Sequence, residues 1–382
     1  MDTFLFFGMI LVISALSCKP AGKIGLPTLV GFILIGMFIG NWFDFENMAD
    51  VDQICTFALL LIIFTGGFQT NFKKAKSVLR LSSVLSVAGT LLTALMAGLF
   101  AFFVLGFELY QAVLLGIIIS PTDVASVFSV LRSRQAELKN DLDYVLEIES
   151  GSNEPFAHML TVAAIAAVTG SANMPLLIFT EIAVGLLSGF IVAKAGQYLI
   201  NWLNVDIDGL YGALLCGIAF LIYGLAVQFG GSGFIAVYIG GIIIGNSKLV
   251  YKGSLSKLYS AISMLMQITL FIVLGILCVP AQVLAVMGSG LLFALFLLFI
   301  ARPAIMFALM KPFGRPLNEI TLVSWAGFRG AASIVLATHL LSEDLPYAEY
   351  IFSIVFFVCL LSVILQSSFI IPLAKKLNLL DE

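Results

Sequence analysis

The sequence has little charge: only 11% of its 382 residues are Asp, Glu, Lys or Arg, and it contains two histidines. Because soluble domains contain about 25% charged residues, a water-soluble globular protein is excluded. The five cysteines form no Cys-x-x-Cys pair and no Cys/His spacing typical of zinc, so they indicate neither a disulfide framework nor a zinc site. The basic residues are scattered, and the net charge of −3 gives no indication of nucleic-acid binding.

Long apolar segments fill most of the chain instead. Apolar residues make up 61% of it, and the mean hydropathy is +1.11. Runs of roughly 17–25 apolar residues predict membrane helices, whereas a membrane barrel would show short alternating segments. The sequence therefore predicts an all-α polytopic membrane protein with about 13 transmembrane helices and no extramembrane domain. These spans lie near residues 2–18, 25–41, 53–70, 78–106, 109–132, 145–169, 175–203, 209–228, 232–247, 256–279, 282–311, 318–341 and 346–374.

The loops between the predicted spans alternate in charge. One set holds nearly all of the basic residues, namely Lys19, Lys23, Lys73, Lys74, Lys76, Arg80, Arg132, Arg134, Lys139, Lys248, Lys252, Lys257, Lys311, Arg315, Lys375 and Lys376. The other set is acidic, with Asp44, Glu46, Asp50, Asp52, Glu108, Glu343, Asp344 and Glu349. By the positive-inside rule, this predicts an outside N-terminus and a cytoplasmic C-terminus. Lys194, Arg302 and Arg329 fall inside spans, and we expect the first two to snorkel towards cytoplasmic ends.

A short motif occurs twice. Gly36-Met-Phe-Ile-Gly40-Asn41 in span 2 matches Gly241-Ile-Ile-Ile-Gly245-Asn246 in span 9. Such spacings can simply allow close helix packing. However, the two spans are seven apart and cross the membrane in opposite directions. The sequence therefore predicts an inverted repeat of two six-helix halves, spans 1–6 and 8–13, a signature of secondary transporters.

Span 5 carries an aspartate beside a proline, in the run Ser120-Pro121-Thr122-Asp123. Because Pro121 lacks an N–H and clashes with the preceding turn, we expect it to interrupt the helix. The freed carbonyls, the two hydroxyls and the carboxylate of Asp123 are hard oxygen ligands suited to a small cation. The alternative is a proline kink whose aspartate makes only a helix–helix hydrogen bond.

Span 6 carries a polar segment around Glu149, Ser150, Asn153 and Glu154. A charged carboxylate inside a membrane costs on the order of 2.5–3.5 kcal/mol, which favours a functional role. Ser150 and Glu154 are i,i+4 neighbours, as are Glu149 and Asn153. Burial favours a protonated carboxyl group and a bound cation favours the ionised one, so Glu154 can hold a proton or a metal ion but not both. We predict that Glu154 is the group that exchanges them.

Span 12 places Arg329 among small residues. A buried arginine needs an acidic partner, and we expect Glu149 in this role, with Asp123 as the rival. Spans 5 and 12 correspond in the inverted repeat, and each carries its charged residue beside helix breakers, so we expect both spans to be discontinuous. Arg329 would then be structural and would not titrate.

Three further features each allow two interpretations. His158 lies one turn after Glu154 and could relay protons, although a lone histidine on an apolar helix is more often a core residue. Gln69 could line the cytoplasmic entrance or cap its helix. Gly230-Gly-Ser232-Gly resembles the motif of intramembrane serine proteases, but without a suitably placed base it is more typical of a tight loop.

These motifs together resemble one family. The run beginning at Ser120 (Ser-Pro-Thr-Asp-Val-Ala-Ser), the run beginning at Leu146 (Leu-Glu-Ile-Glu-Ser-Gly-Ser-Asn-Glu-Pro) and the run beginning at Gly327 (Gly-Phe-Arg-Gly-Ala-Ala-Ser) are similar to those of the monovalent cation:proton antiporters. The resemblance is greatest to potassium/proton antiporters of the cell-volume-regulation type, and it covers the whole chain.

The resemblance implies a thirteen-helix inverted-repeat fold, a homodimer in the plasma membrane, and electroneutral exchange by an elevator-like movement. The dimerisation part would be residues 1–75 and 175–280, and the core transport part residues 78–169 and 282–374, within one transmembrane domain. It implies K+ or Na+ as substrate and no cofactor or enzymatic activity. Its motifs imply ion-site roles for the Thr122 main chain, Asp123, Ser150, Glu154 and nearby Asn153, and a Glu149–Arg329 brace.

The chain departs from the family pattern in three places. Glu154 stands where the family usually has aspartate, Pro121 precedes the Thr-Asp pair, and Gln69 stands where many sodium-type members have glutamate. The last difference weakens a sodium assignment. Potassium-type members often have a cytoplasmic regulatory domain, and we expect none within this chain. A cation channel is the alternative function and an intramembrane hydrolase a more distant one, although channels usually build symmetric filters.

Overall fold

The structure is a computed structural model. It describes residues 28–40, 45, 47–133, 136–170, 173–203, 207–343, 345 and 347–381, with residues 8 and 12. Predicted span 1, apart from residues 8 and 12, lies outside the described residues. So do these residues of the loop analysis: Lys19, Lys23, Asp44, Glu46, Arg134 and Asp344.

Helices make up most of the described chain. They are α1 (Thr28–Ile39), α2 (Met48–Gln69), α3 (Phe72–Ala75), α4 (Leu79–Phe103), α5 (Leu109–Ile118), α6 (Val124–Ser133), α7 (Leu142–Thr169), α8 (Met174–Leu203), α9 (Asp208–Gln228), α10 (Gly233–Gly245), α11 (Lys252–Ile276), α12 (Pro280–Ala285), α13 (Met287–Phe313), α14 (Leu317–Trp325), α15 (Ala331–Ser342) and α16 (Ala348–Lys376). Two short strands, β1 (Glu137–Leu138) and β2 (Leu380–Asp381), pair antiparallel.

The all-α prediction is confirmed. Among the described residues, seven helices are long and apolar enough to cross a membrane, namely α2, α4, α8, α9, α11, α13 and α16. Each of predicted spans 2–13 coincides with one helix or with two consecutive helices. The count of thirteen membrane crossings stays a prediction.

Spans 5 and 12 are both interrupted, as the sequence predicts. In span 5, α5 ends at Ile118 and α6 begins at Val124, with Pro121 between them. In span 12, α14 ends at Trp325 and α15 begins at Ala331. Pro155, by contrast, lies within the uninterrupted α7. Pro121 lacks an N–H donor and lies in the non-helical segment between α5 and α6.

Two of the long helices contain a wider turn of the same kind. In α4, a π-helical turn covers Leu85–Gly89, and in α13 another covers Leu297–Ala301. A π turn accommodates one extra residue, redirects the helix after it, and is often found near functional sites. The sequence analysis predicted neither turn.

The chain divides into two compact units. Unit 1 comprises Met1–Thr56, Leu91–Asp143 and Gln267–Glu382, and unit 2 comprises Phe57–Thr90 and Tyr144–Met266. Within unit 1, a Cβ at Gly36 would lie 2.8 Å from the Cα of Gly275 in α11. Within unit 2, a Cβ at Gly241 would lie 2.6 Å from the carbonyl oxygen of Phe64 in α2. The repeated glycine motif therefore serves close helix packing in both units.

Candidate functional site

Asp123 lies in unit 1 at the break in span 5 and is 5% exposed. Its carboxylate accepts hydrogen bonds from the Ser126 N–H at 3.1 Å and the Ser126 hydroxyl at 2.6 Å. This is the geometry of a helix N-cap, so Asp123 begins α6 and its charge faces the positive end of the helix dipole. The two hydrogen bonds thereby hold the aspartate side chain in one position.

The two interrupted spans meet at this residue. The Asp123 N–H donates to the carbonyl of Phe328 at 2.9 Å, which joins the non-helical segment of span 5 to that of span 12. A Cβ on Gly330 would overlap the Asp123 carboxyl group. Position 330 therefore requires glycine because the Asp123 side chain occupies the space where another residue would have its Cβ.

Arg329 satisfies the carbonyl groups that the break in span 5 exposes. Its side chain is 1% exposed, and its Nη1 donates to the carbonyls of Ser120 at 2.5 Å and Pro121 at 3.0 Å. Because these carbonyls follow the C-terminal end of α5, the guanidinium charge also complements the helix dipole. The Ser120 and Pro121 carbonyls each already accept a hydrogen bond from Arg329, and the expectation that freed carbonyls serve as cation ligands stays a prediction. The Ser120 hydroxyl donates within its own chain segment, to Ile117 at 2.7 Å.

The polar segment of span 6 lies in unit 2, on α7. Glu149, Ser150, Asn153 and Glu154 are all buried, with exposed fractions of 0%, 3%, 2% and 9%. The four polar residues therefore lie inside the protein, as expected for a polar segment within a membrane span, and their roles in the site stay predictions. Asp123, Thr122 and Arg329 belong to unit 1, so a shared ion site and the Glu149–Arg329 pair stay predictions.

One face of α7 makes contacts that the sequence analysis missed. The Glu147 carboxylate accepts a 2.8 Å hydrogen bond from the hydroxyl of Thr70, and a Cβ on Gly151 would lie 2.9 Å from the ring of Tyr238. Residues 147, 151, 154 and 158 share this face by helical spacing. Glu147 was visible in the sequence as one more carboxylate before Glu149, whereas no local pattern indicated Tyr238.

The auxiliary residues have defined neighbours in unit 2. His158 is half-buried and packs edge-on against Phe234, with ring centroids 4.5 Å apart, and both of its interpretations stay predictions. Gln69 ends α2 and donates to the Ser260 hydroxyl at 2.8 Å. Ser232 caps α10 by accepting from the Ile235 N–H, so the tight-loop interpretation of the Gly-Gly-Ser-Gly motif is confirmed.

Arg302 differs from its expected position. It is 3% exposed rather than extended to a cytoplasmic end, and a Cβ on Gly327 would lie 2.5 Å from its Nε. Its side chain therefore fills the space beside the break in span 12. Lys194, the other residue expected to snorkel, is exposed.

We expect Gly330→Ala to impair exchange strongly. The new methyl group would overlap the Asp123 carboxyl group, so the aspartate must leave its N-cap position. Transport in proteoliposomes at matched protein amounts measures the effect. Gly288→Ala is the control, because nothing lies within 4 Å of a Cβ there. Equal transport by the two variants would show that Asp123 tolerates displacement.

A search for relatives places the chain in a family. The profile described as "Sodium/hydrogen exchanger, transmembrane" matches residues 8–376. The chain belongs to this sodium/hydrogen exchanger family. It is therefore a member of a family of cation/proton antiporters, which are transporters and not enzymes.

Two curated members and one solved structure illustrate the likeness. The chain is 33% identical over 385 residues to the K(+)/H(+) antiporter NhaP of Alkalimonas amylolytica, covering 99% of this chain and 67% of that protein. It is 26% identical over 419 residues to the probable Na(+)/H(+) antiporter 2 of Methanocaldococcus jannaschii, covering 99% and 98%. It thus spans about two-thirds of the length of the first relative.

The solved structure of the sodium proton antiporter MjNhaP1 from Methanocaldococcus jannaschii at pH 8 has the same fold. The TM-score is 0.88 at 24% identity, with 98% of each chain covered. The recognition of the family from the three sequence motifs is thus confirmed by the match to nearly the whole chain.

Proposed function

We propose that this antiporter exchanges protons for a monovalent alkali cation, K+ in preference to Na+, at Asp123 and Glu154. The observation that carries the proposal is the crossing of two interrupted spans at a buried, N-capping aspartate beside a buried arginine. Interrupted helices that meet around buried charges are typical of secondary-transporter ion sites.

The two carboxylates have different roles in this proposal. Asp123 already accepts two hydrogen bonds from Ser126, so it acts as a fixed ligand. Glu154 lies within a continuous helix on a longer side chain and takes either the proton or the cation. Ser150, Asn153 and the main chain of Thr122 supply further oxygen ligands. Because one occupant replaces the other at a single carboxylate, the exchange is electroneutral and one-for-one.

Antiport requires alternating access, for which an inverted repeat provides the framework. We propose the thirteen-helix, two-half architecture, and three pairs of features seven spans apart support it. Spans 5 and 12 are both interrupted, and spans 4 and 11 both contain a π turn. Span 2 packs on span 10 through Gly36, and span 9 packs on span 3 through Gly241. Because span 9 corresponds to span 2 and span 3 corresponds to span 10, the two contacts are equivalent in the repeat.

The remaining parts of the proposal concern assembly and location. The protein is a homodimer in the plasma membrane, with its N-terminus outside. Residues 1–75 and 175–280 form the dimerisation part, and residues 78–169 and 282–374 form the core that moves like an elevator. Potassium is favoured because the 33% identical relative is named a K(+)/H(+) antiporter and because Gln69 replaces the acidic residue of many sodium-type members.

Reconstituted protein should therefore release protons from acid-loaded proteoliposomes when K+ is added outside. The rate should saturate with K+, exceed the rate with Na+, and not change when the membrane potential is collapsed. Protein-free liposomes are the control for leakage. A non-saturating current near channel rates would contradict antiport and favour the cation channel. Equal rates with every alkali ion would contradict the potassium preference alone.

A further inference from the structure

A hydrogen-bonded chain of side chains bridges the break in span 12. Its two central members, Ser362 and Gln366, belong to span 13. The Gln366 side-chain amide donates to the carbonyl of Trp325 at 2.6 Å, where α14 ends. Its oxygen accepts from the hydroxyl of Ser362, and that hydroxyl accepts from the Arg329 N–H at 2.8 Å. The Trp325 indole closes the chain by donating to the main-chain carbonyl of Gln366 at 3.0 Å.

Most of this hydrogen-bonded chain is buried, although Trp325 is partly exposed. Ser362 is 0% exposed and Gln366 is 2% exposed. The Gln366 side chain donates through its NH₂ group and accepts through its carbonyl oxygen, so both of its polar atoms have a partner. A buried carbonyl at a helix end is costly when it has no donor, which explains why an amide is placed here.

The same two positions occur in the first half of the proposed inverted repeat. Residue numbers differ by 212 between Ser150 and Ser362, between Glu154 and Gln366, and between the π turns that begin at Leu85 and Leu297. Each serine precedes its Glu or Gln by one helical turn, on a long helix that follows an interrupted span. The second half therefore has a neutral amide where the first half has the exchanging carboxylate.

We propose that Gln366 and Ser362 are positioning residues of the exchange site and that Gln366 is the non-titrating counterpart of Glu154. They hold Trp325 and Arg329 on either side of the break. This fixes the carbonyl of Phe328 that Asp123 binds and the guanidinium that binds Ser120 and Pro121. The inference rests on the proposed function for its transport readout, although the hydrogen-bonded chain itself does not.

Gln366→Glu provides the discriminating test. A protonated glutamate can accept from Ser362 and donate its O–H to Trp325, whereas an ionised glutamate has no donor for Trp325. Relative to wild type at the same pH, the variant should keep its exchange rate at acidic pH and lose it as the pH rises. Gln366→Met, of similar shape but without hydrogen bonds, should raise the KM for K+ about tenfold at every pH, as expected for a lost buried hydrogen bond.

A matched pair of serine variants completes the experiment. Ser362→Ala should raise the KM for K+, whereas Ser353→Ala should not, because the Ser353 hydroxyl donates only within its own helix, to Glu349. Thermal unfolding of each purified protein, measured across the same pH range, gives a readout that needs no transport. The Gln366→Glu variant should lose melting temperature relative to wild type only as the pH rises.

Failure of the positioning role can be distinguished from failure of the proposed function. If wild type shows no cation/proton exchange, the proposed function fails, while the pH-dependent melting temperature still tests the hydrogen-bonded chain. If Gln366→Met matches wild type in KM and melting temperature, or if Gln366→Glu is impaired equally at all pH values, the positioning role is overturned.

Discussion

Glu154→Gln is expected to reduce cation/proton exchange to the background of protein-free liposomes while leaving the protein folded. Glutamine keeps the shape of the side chain but can neither release a proton nor neutralise a cation. The residue is 9% exposed on a continuous helix, so the substitution removes a charge without opening a cavity. Proton release driven by K+ and thermal unfolding of the same preparation measure the two halves of the expectation.

Two control variants define what a positive result means. Glu181→Gln removes a carboxylate that is also buried, at 8% exposure, but on α8 and outside the proposed site, so it should retain exchange. Glu154→Asp should also retain exchange, with a changed preference among alkali ions, because the carboxylate retracts by one methylene. Full exchange by Glu154→Gln would remove Glu154 from its assigned role and leave Asp123 as the exchanging group.

The helices could be predicted because apolar runs of membrane length leave few alternatives. A span must satisfy its own backbone hydrogen bonds in lipid, which makes helix boundaries follow hydropathy. The interruption at Pro121 was equally visible, since proline acts through its own missing N–H. The motifs around Asp123, Glu154 and Arg329 then sufficed to identify the antiporter family.

The contacts that hold the interruptions together were not predictable, because they join residues far apart in the chain. Nothing near Gln366 in the sequence indicates that its amide serves the end of α14, 41 residues earlier. Arg302 was expected to snorkel because of its place in a span, but Gly327 leaves a space beside it that the guanidinium occupies. The π turns in α4 and α13 share no local pattern, because Gly89 ends the first and Pro303 follows the second. A proline alone does not indicate such a turn, since Pro155 lies in the uninterrupted α7.

Arg329→Ala should strongly destabilise the protein. The change leaves the Ser120 and Pro121 carbonyls without their donor in a site that is 1% exposed, and it leaves any acidic partner uncompensated. Removing one member of a buried charged pair costs about 3–5 kcal/mol, a large fraction of the stability of an ordinary domain. Purified yield and melting temperature should both fall. Lys194→Ala, which removes an exposed charge, should change stability by less than about 0.5 kcal/mol.

The identity of the acidic partner follows from a double-mutant cycle. If Glu149 pairs with Arg329, Glu149→Gln should destabilise wild type but cost little in the Arg329→Ala background, because the charge it removes has already lost its partner. Asp123→Asn in the same cycle tests the rival. Additive losses for Glu149 together with strong coupling for Asp123 would move the pair to Asp123. In that case Arg329 would hold the fixed ligand of the ion site directly, and its removal would impair cation binding before it impaired folding.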